Sequence, residues 1–196
     1  EVTSGAKVDF EAVARGLYRE VGYRNDLRVL VHIIRQSPDI AQGVDTGGAG
    51  DQGIMYGYAT EETPEFLPDA VVKVHRLAAG LESLRKQGTI GWLRPDGKTQ
   101  ITVRDGKVAA VLVSAQHADG VSHEEIRGAL IEHLVRPVLG RAEGFEILVN
   151  PTGKFVQGGF EADTGLTGRK IMVDTYGGLA PHGGGCFSGK DPTKVD

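Results

Sequence analysis

The chain has a single cysteine, Cys186, among 196 residues. That excludes any intrachain disulfide and fits a reducing compartment, so a cytoplasmic protein is expected. Its six histidines are scattered, with no His-x-x-x-His and no Cys-x-x-Cys, which argues against a zinc site. No apolar run approaches the ~18 residues of a membrane span, and no signal-peptide pattern opens the sequence. Neither sign of charge dominates. The net charge is -4 and the pI about 5.9, so no global basic field points to nucleic acid or to a membrane surface.

What is present is an ordinary soluble composition, 40% hydrophobic and 24% charged, enough for one good core or two small ones. Glycine is abundant, 29 residues, but gathered into discrete loops rather than a low-complexity tract. Periodicity predicts the elements. A helix is expected over Asp9–Val21, with Asp9 as N-cap and Phe10, Val13, Leu17 and Val21 at helical spacing. Val29–Ile34 reads as a buried strand, Gln36–Gly53 as a loop and Ile54–Tyr58 as a strand. Leu67–Lys86 reads as a long helix with Val71, Val74, Leu77, Ala78, Leu81 and Leu84 along one stripe. Thr99–Arg104 and Val108–Ser114 flank Asp105-Gly106, the signature of a β-hairpin. Ser122–Val135 reads as a helix opened by a Ser122/Glu125 capping box. Ile147–Val149, Phe155–Val156 and Ile171–Val173 read as short strands. The fold class expected is α+β, mixed sheets with helices on one face.

Two glycine-rich stretches carry the chemistry. The stretch from His182 to Asp196 joins a glycine run to Lys190, Lys194, Asp191 and Asp196. Glycine lets backbone N–H groups approach an anion, lysine brings positive charge, and carboxylates hold a hard cation. Together they read as a polyphosphate-and-metal loop or, taken alone, equally as a glycine-rich turn followed by a solvated charged segment. The Gly184-x-x-x-x-Gly189-Lys190 spacing is one residue short of a P-loop, because Asp191 stands where a magnesium-binding hydroxyl is needed. A P-loop-like ATPase is the alternative enzyme reading. Gly48-x-Gly50-x-x-Gly53 matches the dinucleotide fingerprint in letters only, since a polar loop precedes it and a strand-like run follows.

These residues resemble the S-adenosylmethionine synthetase (methionine adenosyltransferase) family. Gly48-Ala-Gly-Asp-Gln-Gly53 is similar to its first signature. Gly183-Gly-Gly-Cys-Phe-Ser-Gly-Lys-Asp191 is similar to its second, with Cys186 where the family usually has alanine. Three more matches lie between them in the family's order: Trp92-Leu-Arg-Pro-Asp-Gly-Lys98, Asn150-Pro-Thr-Gly-Lys-Phe155 and Gly165–Gly178. The resemblance implies three similar α+β subdomains that exchange chain segments. Residues 63–157 are then one nearly complete subdomain, and residues 1–62 and 158–196 are parts of another. His-Pro-Asp-Lys, which supplies the family's ATP-binding histidine and a magnesium-binding aspartate, does not occur here. The chain is therefore expected to be truncated at both ends and, alone, inactive or a non-catalytic fragment that keeps the fold.

The activity implied is attack of the methionine sulfur on C5′ of ATP. Triphosphate leaves and is then hydrolysed to pyrophosphate and phosphate. Mg2+ and K+ are the implied cofactors. ATP and L-methionine are the implied partners, with self-association as a dimer or a dimer of dimers and with no nucleic acid or membrane. By position, Asp96, Gly97, Lys98, Lys154, Phe155, Asp163, Arg169, Lys170, Cys186 and Lys190 are ATP residues. Glu1, Gln36, Asp51, Asp163 and Lys194 are methionine residues, and Asp196 is a metal ligand. Lys98, Arg169, Lys170 and Lys190 are the cations expected to stabilise the departing triphosphate. Lys154 stands where the family commonly has arginine, which keeps the charge and loses the guanidinium fork. His182 has no assigned role and reads as structural.

Overall fold

The computed structural model describes residues 5–48, 53–185 and 187. Six expected site residues, Glu1, Asp51, Cys186, Lys190, Lys194 and Asp196, lie outside the described residues. The chain divides into two compact units, one of residues 1–58 and 165–196, the other Ala59–Thr164.

The second unit is built on a three-stranded sheet in the order β1-β2-β3, with β1 at Leu93–Arg104, β2 at Lys107–His117 and β3 at Glu146–Val149. β1 and β2 are antiparallel, while β2 and β3 are parallel, so the sheet is mixed and the fold is α+β as expected. The hairpin turns on Asp105 (φ 52) and Gly106 (φ 71). Two successive left-handed residues make the turn whose twist matches that of the strands, which is why Asp-Gly marks it. Along β2 the pleat turns Val111, Val113 and Ala115 to one face, where they are buried. Helix α3 (Asp69–Lys86) brings Leu77 to them. The helical segment that follows β2 adds Ile126, Leu130, Leu134 and Val135.

That segment starts at α4 (His123–Leu130), where the Ser122 side chain accepts from the Glu125 N–H at 3.2 Å. It widens into a π-helical turn at Ile131–Val135 and ends as α5, Arg136–Leu139. Pro137 explains the widening. It offers no N–H to the carbonyl four residues back, and its ring collides with that carbonyl in an α-helix. Instead the Arg136 N–H reaches back to the Ile131 carbonyl. Leu134 then sits so close to α3 that a side chain at Gly80 would overlap it. Two α4 side chains also close the outer edge of β3. His123 Nε2 donates to the Val149 carbonyl at 2.8 Å, and an Arg127 guanidinium N–H to the Ile147 carbonyl at 2.7 Å.

The first unit holds α1 (Phe10–Val21), α2 (Pro38–Val44) and the short α6 (Ile171–Asp174). Asp9 caps α1 as expected, accepting from the Ala12 N–H at 2.9 Å, and Gly22 ends it with φ 115. Four expectations fail here. Val29–Ile34 and Ile54–Tyr58 form no strand, and the first of them is not buried: Leu30 and Ile34 are each 77% exposed. A β-branched run favours extended backbone, but only a partner strand makes it a ladder, and no described residue supplies one. Gln36–Gly53 is not all loop. Ser37-Pro38 is an N-cap followed by proline at the first helical position, with the Ser37 hydroxyl accepting from Asp39 N–H. Ile171–Val173 lies in a helical turn closed by Asp174 N–H to Lys170 O, since a three-residue apolar run has no period to read. In the second unit Phe155–Val156 also lacks a strand assignment.

Candidate functional site

Two of the expected ATP segments of the second unit, Asp96–Lys98 and Lys154–Phe155, meet at the C-terminal end of β2. The β1–β2 ladder is regular from Thr102 to Gly97, shifts by one residue between Thr102 and Val103 near the turn, and is irregular again between Gly97 and Leu93, where Pro95 has no N–H to give. Asp96-Gly97-Lys98 thus straddles the point where the regular ladder ends. It is the irregular beginning of a strand. Gln116 fills the gap in the ladder: its Oε1 accepts from the Asp96 N–H at 3.1 Å, and its Nε2 donates to the Val156 carbonyl at 3.0 Å. The Asp96 carboxylate accepts from the Gly159 N–H at 2.8 Å. His117 binds Phe155 twice. Its backbone N–H donates to the Phe155 carbonyl at 2.9 Å, and its Nε2 accepts from the Phe155 N–H at 3.0 Å. The other ring nitrogen lies 2.8 Å from the Ala118 carbonyl, so Nδ1 carries the proton.

Asn150 sets the approach of the Lys154-Phe155 segment. It is buried, at φ 40, and its side chain meets both backbone groups of Ala115, accepting at 2.8 Å and donating at 3.1 Å. Its own N–H reaches Val113 O, and its carbonyl accepts from Gly153 N–H to close the turn. The side chain therefore continues the pairing after β3 ends at Val149.

The charges divide by partner. Lys98 projects from β1 opposite Ser114 and is exposed, with no ion pair among the described residues. Lys154 is exposed too, but its ammonium lies 2.6 Å from Asp119. A hydrogen bond from Lys154, then one from the Gly120 N–H, hold the Asp119 carboxyl below the usual carboxylate range. Because that value is depressed, the pairing is present at neutral pH and is lost as the medium becomes acid enough to protonate Asp119. Asp163 is exposed, with one carboxylate oxygen on the Thr164 N–H at 2.7 Å.

In the first unit, Arg169 and Lys170 are exposed and Gln36 is half-buried. Gly183 packs on the carbonyl of Ile54 so tightly that any side chain there would overlap it. The beginning of one glycine stretch thus rests against Ile54, the residue that follows the other. His182 shapes that loop, accepting from the Gly184 N–H at 2.7 Å and standing edge-on to Phe187 at 6.2 Å. The Gly184 N–H is consequently already bonded, in a loop expected to offer such groups to phosphate.

Among the described residues no group of three or more His, Cys, Asp or Glu is placed to hold a metal ion, and Asp196 lies outside them. Sequence reading passed over Gln116, His117 and Asn150 as site-building residues. Polar residues at the end of an otherwise apolar strand were the only signal available. The region around them matches the S-adenosylmethionine synthetase central domain over residues 46–155, and the C-terminal domain of the same enzyme matches residues 157–196. The first match alone covers more than half of the sequence, and the chain belongs to the S-adenosylmethionine synthetase family.

Proposed function

We propose that the protein carrying this chain makes S-adenosylmethionine from ATP and L-methionine. The methionine sulfur attacks C5′ of the ribose, a carbon–sulfur bond forms, and the C5′–oxygen bond breaks to release triphosphate, which is hydrolysed to pyrophosphate and phosphate. The sulfur is already nucleophilic, so no Ser, Cys or Lys nucleophile is required. The demanding event is the departure of a polyanion. Lys98, Arg169, Lys170 and Lys190 are the cations proposed to meet it. The observation that carries this reading is the joining of the Asp96–Lys98 and Lys154–Phe155 segments at one end of β2, in a chain of this family.

Asp96, Gly97, Phe155, Asp163 and Cys186 complete the proposed nucleotide contacts, and Glu1, Gln36, Asp51, Asp163 and Lys194 those to methionine. Mg2+, with Asp196 as a ligand, and K+ are the proposed ions. When bound, the divalent ion supplies further charge for the leaving triphosphate. We place residues 1–62 and 158–196 in one subdomain and residues 63–157 in another. The 196 residues contain no His-Pro-Asp-Lys and are expected to be inactive alone. Self-association as a dimer or dimer of dimers fits the apolar stripe of α1, where Phe10, Val13, Leu17 and Val21 are all exposed. No helix among the described residues is long and apolar enough to cross a membrane, and we propose a cytoplasmic location.

The test is incubation of the full-length protein with ATP and methionine. The sulfonium product, pyrophosphate and phosphate are expected. ADP without sulfonium supports the P-loop-like reading instead. A second test concerns Lys154, which Asp119 holds in competition with phosphate. Asp119→Asn is expected to lower the KM for ATP a few-fold at low ionic strength, with the gain fading as salt screens the pair. An unchanged KM at every salt concentration removes Lys154 from the nucleotide contacts.

A further inference from the structure

We infer that Gln116 is a positioning residue for the nucleotide site, holding its two segments in fixed relation through one amide. This rests on the proposal that Asp96–Lys98 and Lys154–Phe155 contact ATP. Gln116 is 7% exposed, and its amide is engaged on both sides: the oxygen by the backbone of Asp96, the nitrogen by the backbone of Val156. The two segments lie far apart in sequence. Because β1 is irregular between Leu93 and Gly97, no regular ladder fixes Asp96 against β2. The Gln116 side chain takes the place of that missing rung.

The surroundings are cut to fit it. A Cβ added at Gly158 would stand 2.7 Å from Gln116 Cδ and 2.9 Å from both amide heteroatoms. The backbone of Gly158, at φ -151, is open to any residue, so the demand for glycine is one of space. An amide held by two hydrogen bonds cannot swing away from a methyl group without breaking one of them. Next along the chain, the Gly159 N–H returns a bond to the Asp96 carboxylate, and the neighbouring His117 fixes Phe155. Loss of the Gln116 amide leaves each segment folded on its own supports but free to shift against the other. Lys98 and Lys154 then no longer face a phosphate chain from set positions.

The experiment compares wild-type full-length protein with Gln116→Leu, Gln116→Glu and Gly158→Ala. Glutamate preserves the shape and an acceptor for the Asp96 N–H, yet turns an oxygen toward the Val156 carbonyl, so it tests the amide without emptying the site. ATP binding is measured by calorimetry, the KM of each substrate by steady-state kinetics, and exchange of the Asp96 and Val111–Val113 amides by hydrogen–deuterium exchange. We expect ATP to bind about tenfold more weakly to Gln116→Leu and less severely so to Gln116→Glu, in line with loss of one or two hydrogen bonds. The KM for methionine stays unchanged, exchange at Asp96 accelerates, and Val111–Val113 remain protected. Gly158→Ala reproduces the ATP defect, and adding it to Gln116→Leu costs little more, because the amide it crowds is gone. A structural role alone lowers the active fraction and leaves both KM values alone, and that result overturns the inference. So does wild-type ATP affinity in both Gln116 variants. Wild-type protein that fails to bind ATP, while Gln116→Leu still loosens Asp96, overturns the nucleotide reading itself and with it the positioning role.

Discussion

Asn150→Ala is expected to lower the unfolding free energy of the second unit by about 3–5 kcal/mol, from two buried backbone groups left unpaired and one strained residue. The Asn150 amide satisfies both the N–H and the C=O of Ala115, which is 1% exposed and has no route to water. Alanine leaves both groups bare and keeps φ 40, a region that a Cβ disfavours unless a short polar side chain bonds locally. Asn150→Gly separates the two costs. It relieves the strain, about 1 kcal/mol, but restores neither hydrogen bond. Urea unfolding followed by the fluorescence of Trp92, the only tryptophan and packed on this core, measures both variants. A loss below about 1 kcal/mol for Asn150→Ala falls short of one unpaired buried group, and the ladder-extending role is then wrong.

Lys98→Ala is expected to reduce kcat by about 10²–10³, the usual loss when one pre-placed electrostatic contact to developing charge is removed. The KM for methionine is expected to change little. Lys98 is chosen because its ammonium is uncommitted among the described residues, while that of Lys154 is held by Asp119. It rises from a strand whose next residue, Thr99, ties to α3 through the Val74 carbonyl at 3.0 Å, so its base is rigid. The leaving triphosphate gains charge at the bridging oxygen as the bond breaks. A fixed cation there lowers the barrier more than it strengthens ground-state binding. Lys98→Arg keeps the charge but spreads it over a planar fork, and only partial recovery is expected. Circular dichroism confirms that both variants fold. An alanine variant with wild-type kcat places Lys98 outside the mechanism.

The second unit was largely legible in the sequence because its signals were local and redundant. Asp105-Gly106 demands two left-handed residues in a row, and few alternatives satisfy that. Ser122 with Glu125 caps a helix whose apolar period agrees with the cap. In the first unit the apolar runs Val29–Ile34 and Ile54–Tyr58 carry strand propensity, but a strand is a relation between two segments, and propensity reports only one. The α6 turn was missed because Ile171–Val173 is too short to reveal a period. Site-building residues were harder still. Gln116 and Asn150 act by bonding to backbone groups tens of residues away, and such pairings leave no local trace.

The His123 and Arg127 side chains that cap β3 have a consequence for how the protein behaves in a crowd. The bare edge of a sheet can recruit a strand from any passing chain. Here the outward carbonyls of Ile147 and Val149, the acceptors a newcomer needs, are already taken by one face of α4. The margin is sealed by the very helix that covers the sheet, and it stays sealed for as long as that helix is folded. Recruitment through β3 thus requires α4 to unravel first. Growth of the sheet from its β3 side is tied to the loss of the core, rather than to a passing fluctuation at that border.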